Sequence, residues 1–187
     1  MTSRTGIAAI LAGALYFVGQ GGQLGTGDDV DGIHVGYVYV GFVIAGFVAL
    51  AVALWGLREL IAGTRLGRIG IRLALAGVAF LGLFSIHVVV ELIRTGDIPD
   101  NFILFLIGFL LILVGQLLFA RDLRPSLGRA WVLPIVAVAG LVMALFLNSI
   151  GLHDIGLFVF EGAWIGLGIA ILRAEPRPAP EAGPTLA

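Results

Sequence analysis

His87 and Glu161 are ionisable residues that lie well inside long apolar runs of this 187-residue chain. An imidazole and a carboxylate can pair, pass a proton, or hold a cation between them. A charge at the centre of a bilayer costs ~2.5–3.5 kcal/mol on insertion scales, so each such group needs a partner or a task. His87 comes seven residues before Arg94, the end of the third apolar run, and Glu161 lies about seven residues into the sixth. At 1.5 Å per residue both fall ~9–10 Å below one surface.

Other polar residues gather near that level. Glu91 is four residues after His87 and shares its helical face. Tyr16, Gln20 and Gln23 form one stripe at the end of the first run, and Asn148 ends the fifth. Trp164 and Phe158 flank Glu161 at i+3 and i−3. The candidate ligand-binding set is therefore His87, Glu91, Glu161, Trp164, Tyr16, Gln20, Gln23 and Asn148, arranged as a polar pocket opening outward. A plainer account stands beside it. Glu91 and Arg94 suit a surface pair, Gln20, Gln23 and Asn148 are ordinary at helix ends, and a His87–Glu161 bond could simply clamp two helices. His87, Glu91 and Glu161 also make a weak metal set, to which His34 and His153 in the outer loops could add. No H-E-x-x-H or paired-histidine motif supports it.

The elements that must position these residues are six apolar segments, about 6–24, 35–57, 69–93, 102–120, 131–149 and 155–172. Each approaches the ~20 residues needed to cross a bilayer, and the barrel-type alternation of period two is absent. The fold class predicted is all-α: a polytopic membrane bundle of six transmembrane helices over residues 1–174, with a disordered proline-rich tail at 175–187. Arg4, Arg58, Arg65, Arg68, Arg72, Arg121, Arg124, Arg129, Arg173 and Arg177 fall at one set of ends. Arg94 alone falls at the other, with Asp28, Asp29, Asp31, Asp97, Asp100 and Asp154. The positive-inside rule then puts both termini in the cytoplasm and the protein in the plasma membrane. With Arg4 before Ile7–Val18, the first segment also has some features of a signal peptide, though no A-x-A-like site follows.

Composition agrees with the membrane reading and prunes the chemistry. Apolar residues make up 59% of the chain, against ~45–50% in soluble domains. There is no cysteine, which removes disulfides, thiol redox relays and Fe–S clusters. There is no lysine, which removes imine catalysis. Net charge is −1, with the basic residues along one rim, so nothing points to nucleic acid. No cofactor is implied. The partners expected are the lipid bilayer, a small ligand or ion, and an oligomer or partner subunit.

Three further patterns bear on packing. Arg4, Arg68 and Arg129 each precede an Ala-Gly pair by a similar distance, which fits three repeated helical hairpins or the shared topology alone. Gly162 and Gly166, and Asn101, Gly108 and Gly115, have spacings that suit close helix contacts. Pro134 lies inside the fifth segment, where a kink is expected. The acidic loop from Gly25 to His34 has only a fragment of a calcium-loop pattern and reads as an exterior turn.

Leu54-Trp55-Gly56-Leu57-Arg58, the run from Gly63 to Gly70, and Glu161-Gly162-Ala163-Trp164 followed by Gly166-Leu167-Gly168 resemble stretches of small six-helix bacterial integral membrane proteins that carry no assigned activity. His34-Val35-Gly36 adds to the likeness. The resemblance implies a plasma-membrane protein and transfers no catalytic residue. Function is expected to be binding or transport of a small ligand, cation or proton. The alternatives are a membrane-embedded enzyme using His87 and Glu161 on a lipid-like substrate, and an accessory subunit.

Overall fold

The computed structural model describes residues 2–26, 29–30, 33–34, 36–61, 64–95, 102–147 and 152–174. These are almost entirely helical. In chain order they form α1 (Thr2–Thr26), a two-residue antiparallel pair β1 (Asp29–Val30) and β2 (Ile33–His34), α2 (Gly36–Leu57) and α3 (Arg65–Thr95). Then come α4 (Phe102–Ala120), a short α5 (Arg124–Leu127), α6 (Leu133–Leu147) and α7 (His153–Arg173). The 175–187 tail, Asn148 and Asn101 lie outside the described residues.

The six long helices form a closed ring. Each packs on the next (α1 on α2, α2 on α3, α3 on α4, α4 on α6, α6 on α7), and α7 returns to α1. Successive helices run in opposite directions. The three sequential hairpins and the α1/α7 seam are the most extensive interfaces, whereas α2/α3 and α4/α6 are looser.

Small residues make the tight seams. A Cβ on Gly77 would stand 2.6 Å from the Gly108 carbonyl oxygen, and one on Gly70 2.7 Å from that of Gly115. Gly140 and Gly156 oppose each other in the same way between α6 and α7, as do Gly6 and Gly168 between α1 and α7. Only glycine lets two backbones approach so closely. Gly108 and Gly115 thus make the contacts that their spacing suggests. Gly162 and Gly166 do not: Gly162 faces open space and Gly166 meets only the tip of Leu133 at ordinary distance. Helical spacing marks a stripe of small residues, but not which face of α7 meets a neighbour.

Among the described residues five helical stretches, not six, are long and apolar enough to cross a membrane by length and composition. The expected segments 102–120 and 131–149 belong to one helical run, Ile103–Leu147, of 45 residues. Its second half, α6, has 15 residues, or ~22 Å of helix against ~30 Å of hydrocarbon. The run is not straight. Phe105 and Leu145 line a single cavity, so the chain folds back through two 3-10 turns, Arg121–Leu123 and Gly128–Val132, on either side of α5. Gly128, with φ of +53°, takes a positive-φ conformation open to glycine and ends α5. Pro134 does not kink a span. It is the second residue of α6, where its missing N–H has no intrahelical acceptor to lose.

The outside of the ring is apolar. Val48, Trp55, Leu66, Leu83, Ile93, Ile103 and Phe146 are among many large apolar side chains left exposed, a surface that a water-soluble monomer rarely carries.

Candidate binding cavity

The interior of the ring divides at mid-length. Toward the arginine-bearing ends it is filled: Leu54, Leu57, Phe119, Leu123, Leu167 and Ile171 are essentially inaccessible. Toward the opposite ends, where α1 and α3 finish and α4 and α7 begin, it encloses a cavity of about 410 Å³. All six long helices contribute to its wall. Phe47, Phe84, Phe105, Phe109 and Phe160 supply aromatic faces, and Val43, Leu50, Leu81, Ile112, Leu141, Ala144, Leu145 and Leu157 supply aliphatic ones. The polar lining is sparse: Tyr16, Gln20, Ser85, His153 and Glu161.

Glu161 is placed by α7. Residues 153, 157, 160 and 161 recur at i, i+4, i+7 and i+8, so they form one stripe down the helix. Behind that stripe α1 crosses closely: a Cβ on Gly13 would overlap the Glu161 carbonyl oxygen. Tyr16, one turn further along α1, packs edge-on to Phe47 at 5.1 Å and to Phe160 at 6.0 Å between centroids. Glu161 is 1% exposed and Tyr16 7%. Glu161 Oε2, the Tyr16 hydroxyl, Gln20 Oε1 and His153 Nδ1 are buried with no hydrogen-bond partner among the described residues. A buried polar atom without a partner costs about 1–3 kcal/mol, and native structures leave few. Four of them around one void are therefore a feature to be explained.

His153 stands at the mouth, the first residue of α7, with Nε2 3.3 Å from the Asp154 carboxylate. Eight residues separate it from Glu161, ~12 Å along the helix. Ser85 is already engaged, donating to the Leu81 carbonyl at 3.0 Å. The cavity thus has a polar rim at His153, a largely apolar waist and a single carboxyl group inside.

Tyr16, Gln20 and Glu161 come together in this wall. Trp164 does not line it; it is buried one turn further along α7, stacked edge-on to Phe160 at 6.5 Å, with its indole N–H unpartnered among the described residues. His87 is half-buried and outside the lining set. Residues 81, 84 and 85 turn that face of α3 inward, and 87 falls beside it. Glu91 also stays outside the wall and pairs with Arg94 at 3.9 Å. Gln23 lies in α1 in a stretch whose side chains are outside the described residues, as Asn148 is altogether. The His87, Glu91 and Glu161 metal set does not assemble: among the described residues no three such groups come together.

The histidine near the cavity is therefore His153, which the sequence puts in a loop because the sixth apolar run begins at 155. The helix starts two residues earlier. The signal was present in the spacing His153–Leu157–Glu161, one residue per turn on Glu161's own face. The phenylalanines carried no comparable signal, since they look alike whether they face lipid or cavity.

Comparisons with protein-family models, with curated proteins and with solved structures find no match to this chain.

Proposed function

We propose that this is an integral membrane protein whose helical ring binds a small, mostly apolar molecule with one cationic or hydrogen-donating head, seated at Glu161. One observation carries the reading: a buried carboxyl group, its Oε2 without a hydrogen-bond partner among the described residues, in a mostly apolar cavity of about 410 Å³. That volume is in the range of small-ligand sites, which combine apolar walls with a few convergent polar groups. A carboxylate and an amide oxygen accept, and a phenol both donates and accepts, so the set as a whole favours a donor or cation over an anion. The apolar exterior and the five membrane-length helices support the bilayer as the setting. The arginine ends are then cytoplasmic and the cavity lies in the outer half of the membrane.

Acid–base catalysis is less well supported. Its pair needs hydrogen-bond reach, whereas His87 is outside the cavity wall and His153 is two turns from Glu161.

The test uses purified protein in detergent, with n-decylamine and n-decanol as matched probes in calorimetric titrations. Decylamine should bind, and Glu161→Gln should weaken it at least tenfold while decanol binding is unchanged. Equal decylamine affinity in the two proteins would remove Glu161 from the site.

A further inference from the structure

A second crevice opens at the arginine end, on the outside of the looser α2/α3 seam. It has a volume of about 440 Å³ and is lined by Trp55, Arg58 and Glu59 from the end of α2 and its turn, and by Arg68, Ile71, Arg72 and Leu75 from α3. We propose that it is a binding site for an anionic glycerophospholipid, the phosphate among the three guanidinium groups and an acyl chain over Trp55, Ile71 and Leu75. The inference rests on the membrane setting proposed above and is independent of what occupies the central cavity.

Three observations support it. The first is charge. Arg58, Arg68 and Arg72 face one crevice with Glu59 as the single acid, and none of the three makes an ion pair among the described residues. Guanidinium groups bind phosphate oxygens in bidentate fashion, and three of them from two helices define a point for an anion. Orientation in the membrane requires only that arginines lie at the correct ends. It does not require that they converge: Arg65, Arg121, Arg124 and Arg129 sit at the same end without lining this crevice.

The second is shape and polarity. The floor is apolar, with Ile71 buried and Leu75 half-buried. A free phosphate has no use for such a floor, whereas a lipid presents both a charged head and a chain. The third is Trp55. The residue is 58% exposed, and the Arg58 guanidinium carbon stands 3.9 Å from the centre of its ring. The stacking fixes the arginine and leaves the ring beside the crevice, at the level where tryptophans meet lipid headgroups. Basic pockets between helices on the cytoplasmic side bind anionic lipid heads for these electrostatic reasons.

The experiment is native mass spectrometry of the full chain after delipidation in detergent. Phosphatidylglycerol, cardiolipin or phosphatidylcholine is added back, with and without millimolar inorganic phosphate. The crevice variant carries Arg58→Gln, Arg68→Gln and Arg72→Gln; a control carries Arg65→Gln, Arg121→Gln and Arg124→Gln, which removes equal charge elsewhere on that rim. The wild type and control should retain one anionic lipid, and the crevice variant should bind it at least tenfold more weakly. If the triple variant does not fold, Arg72→Gln alone is read in the same assay against Arg65→Gln, with the same direction expected. Equal losses in crevice and control variants would reduce the effect to diffuse charge and overturn the site. Equal binding of phosphatidylcholine, or displacement of the lipid by inorganic phosphate, would overturn the anionic-lipid assignment.

Discussion

At the arginine end the six helices close on side chains that fill the space between them, with Leu54, Leu57, Phe119, Leu123, Leu167 and Ile171 fully buried. At the other end the same six helices, with five phenylalanines in the lining, leave about 410 Å³ unfilled. The difference is not one of hydrophobicity. Close backbone contact occurs at both ends, with Gly70 against Gly115 and Gly6 against Gly168 at the filled one, so the difference lies in which side chains turn inward. The α3/α4 and α6/α7 seams at the cavity end are locked by Gly77 against Gly108 and Gly140 against Gly156. Backbones in direct contact leave little room to slide inward and collapse the void. The arginine end has in addition a polar latch. The Thr64 hydroxyl donates to the Asp122 carboxylate, Thr64 Oγ1 accepts from the Gly67 amide at 3.1 Å, and the Ser126 hydroxyl donates to the Leu60 carbonyl at 2.7 Å. That latch ties the α2–α3 connection to the turn after α4. One end is therefore tied and filled, while the other is framed and open.

The comparison can be broken most severely at the seams. Gly140→Leu should push α6 from α7, because its Cβ would lie 2.7 Å from both the Gly156 carbonyl oxygen and the Phe160 amide nitrogen. Loss of monodisperse protein on size exclusion is expected. Gly162→Leu, at a position with nothing within 4 Å, should leave the elution profile unchanged. Aggregation of both variants to the same extent would show that the seam is not what holds the frame.

A single substitution made at both ends sharpens the contrast. Ala74 is fully buried where α3 meets α4, and Ala144 lines the cavity. Ala74→Leu overpacks a filled region and should lower stability by about 1–3 kcal/mol. Ala144→Leu grows into empty space and should leave the melting temperature level or raised, while weakening decylamine binding. Equal destabilisation by the two, measured as melting temperature in detergent, would mean that the void is not available to a side chain.

The smallest effect belongs to the latch. Ser126→Ala removes one hydrogen bond from the Leu60 carbonyl and should cost about 0.5–1.5 kcal/mol. Ligand binding at the far end should not change. A shift in decylamine affinity with this variant would show that the two ends are coupled rather than separately built.

Much of the frame was legible in the residues. Apolar runs separated by arginine-bearing turns mark the helices to within a few residues, because a run long enough to be buried or to face lipid can satisfy its own backbone only as a helix. The exception is the fifth run. Its apolar length read as 131–149, but Gly128 and Pro134 set the helix start at Leu133, and composition alone does not weigh a turn against a span. Glu161, Tyr16 and Gln20 could be singled out as polar groups at one level, since depth follows from counting residues along a helix.

Which polar groups share a space is a different quantity. It depends on the rotation of each helix about its axis, and 100° per residue turns a one-position difference into another face. His87 and His153 illustrate this: the first has the depth but not the face, the second has the face and was assigned to a loop. The sequence by itself determined the helices, their alternation and the arginine-rich end, because those follow from local hydrophobicity and backbone hydrogen bonding. Only the tertiary structure decided the closed ring, the cavity inside it and the crevice outside it. Those depend on glycine-to-glycine contacts between residues far apart in the chain, and no local pattern encodes which glycine meets which.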